Sequence, residues 1–272
     1  MASPSLSPLG AFVRQHDPDR FLATLFAPAA AREALFTLYA FNHELARARE
    51  ATSTPIATLI RLQWWRDAVT EAASGQPARR HEVAGPLHAA IVAGQLDAAS
   101  LTALVVAREV EAEPEGIPTQ AAFGAFLRAG AGGLMVAAGR VLGAPDAALP
   151  ALQKLGAMQG LAGVLRSVAA HASQGRCLLP LDALAEAGLS AEGVIAEPDR
   201  AEPLRRALAE EGVVTLARLR AEPLPQTAVP AALPAVLAAR DLARLAAGRA
   251  VPQPRGLGDR AALIWAGLRR RV

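Results

Sequence analysis

The chain has 272 residues, 52% of them hydrophobic, 19% charged and 4% aromatic, with a formal net charge of +3. That length fits one large domain or two small ones with a sizeable core, and the alanine- and leucine-rich, aromatic-poor mixture favours helix over sheet. A single cysteine, Cys177, excludes an internal disulfide framework and a Cys-based zinc finger; the basic residues are nearly all arginines spread along the chain, which excludes the sustained basic stripe of a nucleic-acid binder.

Residues 1–15 read as a flexible Ser/Pro-rich lead-in, leaving 16–272 as the folded part. Asp17 caps a first short helix with Pro18 at its opening position. Pro28 starts a long helix whose Leu35, Leu38, Tyr39 and Leu45 recur at helical spacing; it is expected to end near Thr52, before the Ser53–Pro55 stop. Residues 56–73 are helical again, up to the break at Ser74–Pro77. Further helices are predicted over 82–94, 97–112, 119–142 and 147–172, divided by Gly/Pro signals, and a short one over 181–188 ends at Gly188. Segments over 199–221, 229–247 and 257–270 complete an all-α reading, a single-domain bundle.

No window reaches the uninterrupted apolar length of a membrane span, since the most apolar region carries Arg128 and many glycines. The N-terminus lacks a basic region followed by an apolar one, so no signal peptide is expected. The chain is read as soluble and cytoplasmic, with peripheral contact at the inner face of a membrane left open. The last helix frames that choice: with Trp265 on its apolar face and Arg269–Arg271 at its end, it either touches anionic lipid or packs on the bundle with its arginines at the helix C-terminus.

The most informative stretch is AFNHELARARE, residues 40–50, which sets His43, Glu44, Arg47 and Glu50 within about two turns of a helix that is otherwise apolar on one face. With its surroundings, REALFTLYAFNHELARARE, it resembles the first aspartate-rich motif of the squalene/phytoene synthase family. GVLRSVAAHASQGRCLLPLDAL resembles the second motif, IRLQWWRDAV the stretch between them, and LPAVLAARDLARLA the family's late helix. The resemblance implies an isoprenoid-synthase-like helical bundle around a central cavity. In that family two prenyl diphosphates are condensed head to head, and the facing aspartates hold Mg²⁺, a hard cation that takes oxygen ligands and neutralises the diphosphate.

Matched residue by residue, the first motif's aspartates fall on Ala46, Arg47 and Glu50, and the arginine before them on His43. The second motif's aspartates fall on Ser167 and His171, while Arg166, Gly175–Arg176 and Leu179–Pro180 keep the family residues. One carboxylate of five remains, and Arg47 turns attraction for a divalent cation into repulsion. The resemblance therefore implies a pseudoenzyme without cofactor; Mg²⁺ belongs only to the alternative, a prenyl transferase with altered metal ligands. A narrower resemblance, carried by Phe41–Ala46, Arg61–Gln63–Trp65 and Gln159–Gly160, is to a branch lacking the aspartates that contains a mitochondrial complex I assembly factor. It implies a protein partner in respiratory complex assembly, with an isoprenoid-like lipid as the other partner considered.

The candidate cavity residues are Asn42, His43, Glu44, Arg47, Glu50, Arg166, Ser167, His171 and Arg176. Asn42 and Glu44 either serve that role or close hydrogen bonds inside the bundle. Arg47 either pairs with Glu50 or joins Arg166 and Arg176 in holding an anion without metal. A new transition-metal site on His43, Glu50 and His171 is the remaining alternative. His16, His81 and His88 are expected at the surface, and Trp64, Trp65 and Cys177 in packing roles.

Overall fold

The structure, a computed structural model, describes residues 6–50, 54–113 and 116–272, with Arg49 and Glu50 described by their backbone alone. Every regular element among the described residues is helical. In chain order they are α1 (Pro8–His16), α2 (Pro18–Thr24), α3 (Ala29–Glu50), α4 (Pro55–Ala73), α5 (Ala84–Val92), α6 (Ala98–Glu109), α7 (Gln120–Leu127) and α8 (Gly133–Val141). Then follow α9 (Leu149–Arg166), α10 (Val168–Ser173), α11 (Leu181–Glu186), α12 (Ala191–Ala196), α13 (Glu202–Ala221), α14 (Val229–Ala232), α15 (Pro234–Ala246) and α16 (Leu257–Arg269).

The buried core runs through most of these helices. The helical face expected on α3 is buried, with Leu35, Leu38, Tyr39, Phe41 and Leu45 all nearly inaccessible, and the Trp65 ring meets Phe41 edge-on at 5.5 Å. Helix α9 is central: it packs against α8, α13 and α15 and against the segment joining α7 to α8. Asp17 caps α2 as expected, accepting from the Arg20 N–H at 3.1 Å. The expected end of α3 near Thr52 lies outside the described residues.

Four departures from the sequence reading have physical causes. The lead-in expected over 1–15 is helical from Pro8 onwards, because Ser7 caps α1 and Leu9 and Val13 plug into the core; residues 1–5 lie outside the description. The helix predicted over 147–172 breaks at Ser167, where the Leu165 carbonyl accepts from Arg205 Nε at 2.9 Å instead of from the next turn. The helix predicted over 229–247 is divided at Pro234, which has no N–H to continue it. Helix α12, capped by Ser190 on Gly193 N–H, was not foreseen.

Gln120–Val141 is long and apolar enough by length and composition to cross a membrane, contrary to the expectation that no window is. It sits beside α9, with Phe123, Leu127, Leu134 and Met135 buried. Its middle, Arg128–Gly132, widens into a π-helical turn. There the two backbones nearly touch: a Cβ on Gly156 would lie 2.5 Å from the Ala131 carbonyl oxygen, and one on Gly132 would lie 2.7 Å from that of Gln153. Glycine at both positions permits this crossing.

Candidate functional site

A cavity of about 870 Å³ opens between α1–α2, the α7–α9 crossing and α15. Its wall is apolar where α7, α9 and α15 meet it, through Phe126, Leu127, Val164 and Leu237, and the glycines of the crossing leave room. Its polar wall is dominated by arginine: Arg14, Arg20, Arg108, Arg166, Arg176, Arg255 and Arg260 stand against Asp17, Asp19, Glu111 and Asp241.

Each of those carboxylates is already engaged. Asp241, 1% exposed, accepts from Arg166 at 3.1 Å and from both terminal nitrogens of Arg255 at 2.5 and 2.8 Å. Arg255 also reaches Asp19 at 2.9 Å, so one guanidinium ties α2 to α15. Glu111 accepts from Arg108 and Arg176, both at 2.6 Å; although burial opposes its charge, the two guanidiniums hold its carboxyl below the usual range. Asp17 pairs with Arg20. The arginines keep donors to spare: Arg176 is 8% exposed and its Nε has no partner among the described residues.

Of the residues singled out in the sequence, Arg166, His171 and Arg176 line this cavity, together with Ala46. The others stand behind or beside it. Asn42 Oδ1 accepts from Arg108 at 3.1 Å, supporting a wall residue from the back. His43 lies tilted against His16 at 4.6 Å between ring centroids, and its Nε2 is buried without a partner among the described residues. Burial first, then His16, lowers its pKa. Glu44 is buried, and Arg47, half exposed, lies 3.7 Å from it; the alternative pairing with Glu50, and the Glu50 part of a transition-metal site, lie outside the described side chains. Ser167 occupies the break between α9 and α10.

His171 is held neutral: burial, then the neighbouring Arg176, pushes its pKa down to about 4. Cys177 is buried, and burial raises its thiol pKa. Of the other histidines, His16 is exposed as expected, whereas His81 and His88 are only partly so. His81 is half-buried against Trp64 and Trp65 and accepts from the Val83 N–H, His88 contacts the Gln76 carbonyl at 2.7 Å, and His16 lines the cavity.

The family chemistry implied by the sequence requires a diphosphate-bound Mg²⁺, and the described residues do not fit it. At four of the five matched positions stand a methyl group, a half-exposed arginine, a hydroxyl and a neutral imidazole; the fifth, Glu50, lies outside the described side chains. The carboxylates that do reach the wall spend their oxygens on arginine. Among the described residues no three His, Cys, Asp or Glu side chains gather as a ligand set. What the wall can do is donate hydrogen bonds to an anion, from guanidiniums whose positions are fixed by buried carboxylates.

The family model described as squalene/phytoene synthase matches residues 13–260. This chain belongs to the squalene/phytoene synthase family. Its all-helical fold is the isoprenoid-synthase-like one: a dehydrosqualene synthase crystallised with a ligand superposes with a TM-score of 0.79 over 96% of this chain and 94% of the other, at 14% identity. A squalene synthase from Alicyclobacillus acidocaldarius superposes with a TM-score of 0.67 over 89% and 94% of the two chains, at 16% identity.

Among curated family members, the complex I assembly factor 6 proteins of Mus musculus and Homo sapiens are 28% identical to this chain over 181 residues, 66% of its length. The match spans about half, 54%, of those relatives' own length.

Sequence reasoning did not pick out Asp241, Arg255, Glu111 or Asp19. Asp241 carried a signal: it is a lone acid in the apolar run of α15, a position that burial makes costly without a cationic partner.

Proposed function

We propose that this family member is a non-catalytic binding protein acting in the assembly of respiratory complex I, with a cavity that holds an anionic, isoprenoid-like amphiphile rather than converting it. The observation that carries the reading is the polar wall itself. Arginines outnumber carboxylates there, and every wall carboxylate is already paired to an arginine. A guanidinium wall beside an apolar one suits a ligand with an anionic head and a hydrocarbon body. The relatives named for complex I assembly support the cellular half of the reading.

Two experiments test the halves separately. Deleting the gene should deplete assembled complex I on native gels while leaving the other respiratory complexes intact; normal complex I in the deletion rejects the assembly role. Titrating the purified chain with farnesyl diphosphate in EDTA should give measurable binding. Metal-dependent release of pyrophosphate with a C30 or C40 product, in the presence of Mg²⁺ and NADPH, would instead establish a prenyl transferase.

A further inference from the structure

Helix α16 is attached to the rest of the molecule by one side. Asp259, Leu263 and Gly267, four residues apart, are buried. Asp259 accepts from Arg240 at 2.5 Å and from Arg244 at 2.6 Å, and a Cβ on Gly267 would come within 2.6 Å of the Phe26 ring. At about 100° per residue, the opposite side carries Leu257, Ile264 and Leu268 in one line, with Trp265 beside them. These side chains are 84%, 39%, 68% and 59% exposed. Their hydration is unfavourable by about 25 cal/mol per Å², and nothing among the described residues covers them.

Both flanks of this stripe are cationic. On one, a hollow of about 370 Å³ is lined by Arg220, Arg240, Arg269 and Arg271 around Trp265, with no Asp or Glu among its lining residues. The Arg269 guanidinium lies 4.4 Å from the Trp265 ring centroid. Arg220 Nε is buried without a hydrogen-bond partner among the described residues, and burial lowers the pKa of that side chain. On the other flank stands Arg260, which also lines the main cavity.

We propose that α16 docks flat on an anionic lipid bilayer, with Leu257, Ile264, Trp265 and Leu268 in the acyl boundary and lipid phosphate in the hollow of Arg220, Arg240, Arg269 and Arg271. Helices of this layout bury their apolar side about 5–10 Å into the interface, and tryptophan sits at headgroup level. Charge complementarity selects the occupant: an anionic surface meets both arginine flanks, whereas a second copy of the chain would set arginine against arginine. Because Arg260 belongs to the cavity and to the flank, docking brings the cavity's edge to the lipid. The inference does not rest on what the cavity holds.

The test is flotation of the full chain with vesicles of phosphatidylcholine alone and of phosphatidylcholine mixed equally with phosphatidylglycerol. Binding to the mixed vesicles should exceed binding to the neutral ones at least about tenfold, since each arginine near the surface contributes about 1 kcal/mol, and should fall in high salt. Trp265→Ser with Leu268→Ser, and separately Arg269→Glu with Arg271→Glu, should each lower binding at least about tenfold without moving the thermal midpoint. If the apolar pair misfolds, the charge pair reads the same interface. Equal binding to neutral vesicles, parental binding by the charge-reversed variant, or a parent that ignores vesicles but dimerises through Trp265 and Leu268 would each overturn the proposal.

Discussion

The two segments that carry the family motifs have diverged in different ways. On α3 part of the polar cluster is drawn into the body of the protein: Asn42 backs Arg108, His43 lies tilted against His16, Glu44 is buried, and the Ala46 methyl is what meets the cavity. Across the cavity, Arg166, His171 and Arg176 all reach the wall. The difference lies in what stands behind the side chains. Arg166 and Arg176 are anchored to buried carboxylates, Asp241 and Glu111, which hold them at the wall. Arg47 has a 3.7 Å contact with Glu44 and half its surface in solvent. Arg166 and Arg176 are kept at the wall by buried partners within hydrogen-bond distance, and among the described residues Arg47 has no such hold.

Removing an anchor should break the comparison most severely. Asp241→Ala leaves Arg166 and Arg255 without their buried acceptor, and urea denaturation should register a loss of about 3–5 kcal/mol. Ligand binding should separate the two sides next. Arg166→Gln is expected to weaken metal-free binding of farnesyl diphosphate by about 1.5–3 kcal/mol, the scale of a hydrogen bond to a charged group, while Arg47→Gln leaves the titration unchanged.

A pH effect follows from His171. Its folded pKa, about 4, lies below the ordinary histidine value of 6.5, so between those values the unfolded chain binds the extra proton. Stability should therefore be constant with respect to this group above pH 6.5 and decline as the pH falls towards 4. The decline is on the order of 1 kcal/mol after allowing for the partial exposure of the ring, and thermal melts of His171→Asn should lack that component. His43, whose pKa is lowered too, contributes with the same sign. The smallest effect belongs to Arg47→Ala, which should change stability by less than about 1 kcal/mol in the same urea assay.

Helix identity was legible where local signals decide it. The Leu35–Leu45 spacing marked the buried face of α3, and Asp17–Pro18 marked the start of α2. Breaks made by distant partners were not legible, since the Leu165 carbonyl is taken by Arg205, forty residues later. The site divides in the same way. The motif match brought Arg166, His171 and Arg176 to the cavity wall, but Asp241 and Arg255 sit in a late helix and a proline-rich link. Pairing across 75 residues, as between Arg166 and Asp241, leaves no local periodicity to read.

The crossing of the α7–α8 segment over α9 has a consequence for whatever enters the cavity. Gly130, Ala131, Gly160 and Gly163 border the space, and Gly132 and Gly156 close the contact just behind them. Here the gauge of the opening is set by main chain against main chain. A side chain at Gly130 or Gly163, where an added Cβ would meet nothing within 4 Å, narrows the chamber with both helices in place, but widening it requires the two helices to move apart. The proposed amphiphile must therefore fit this cross-section as well as the charge of the arginine wall.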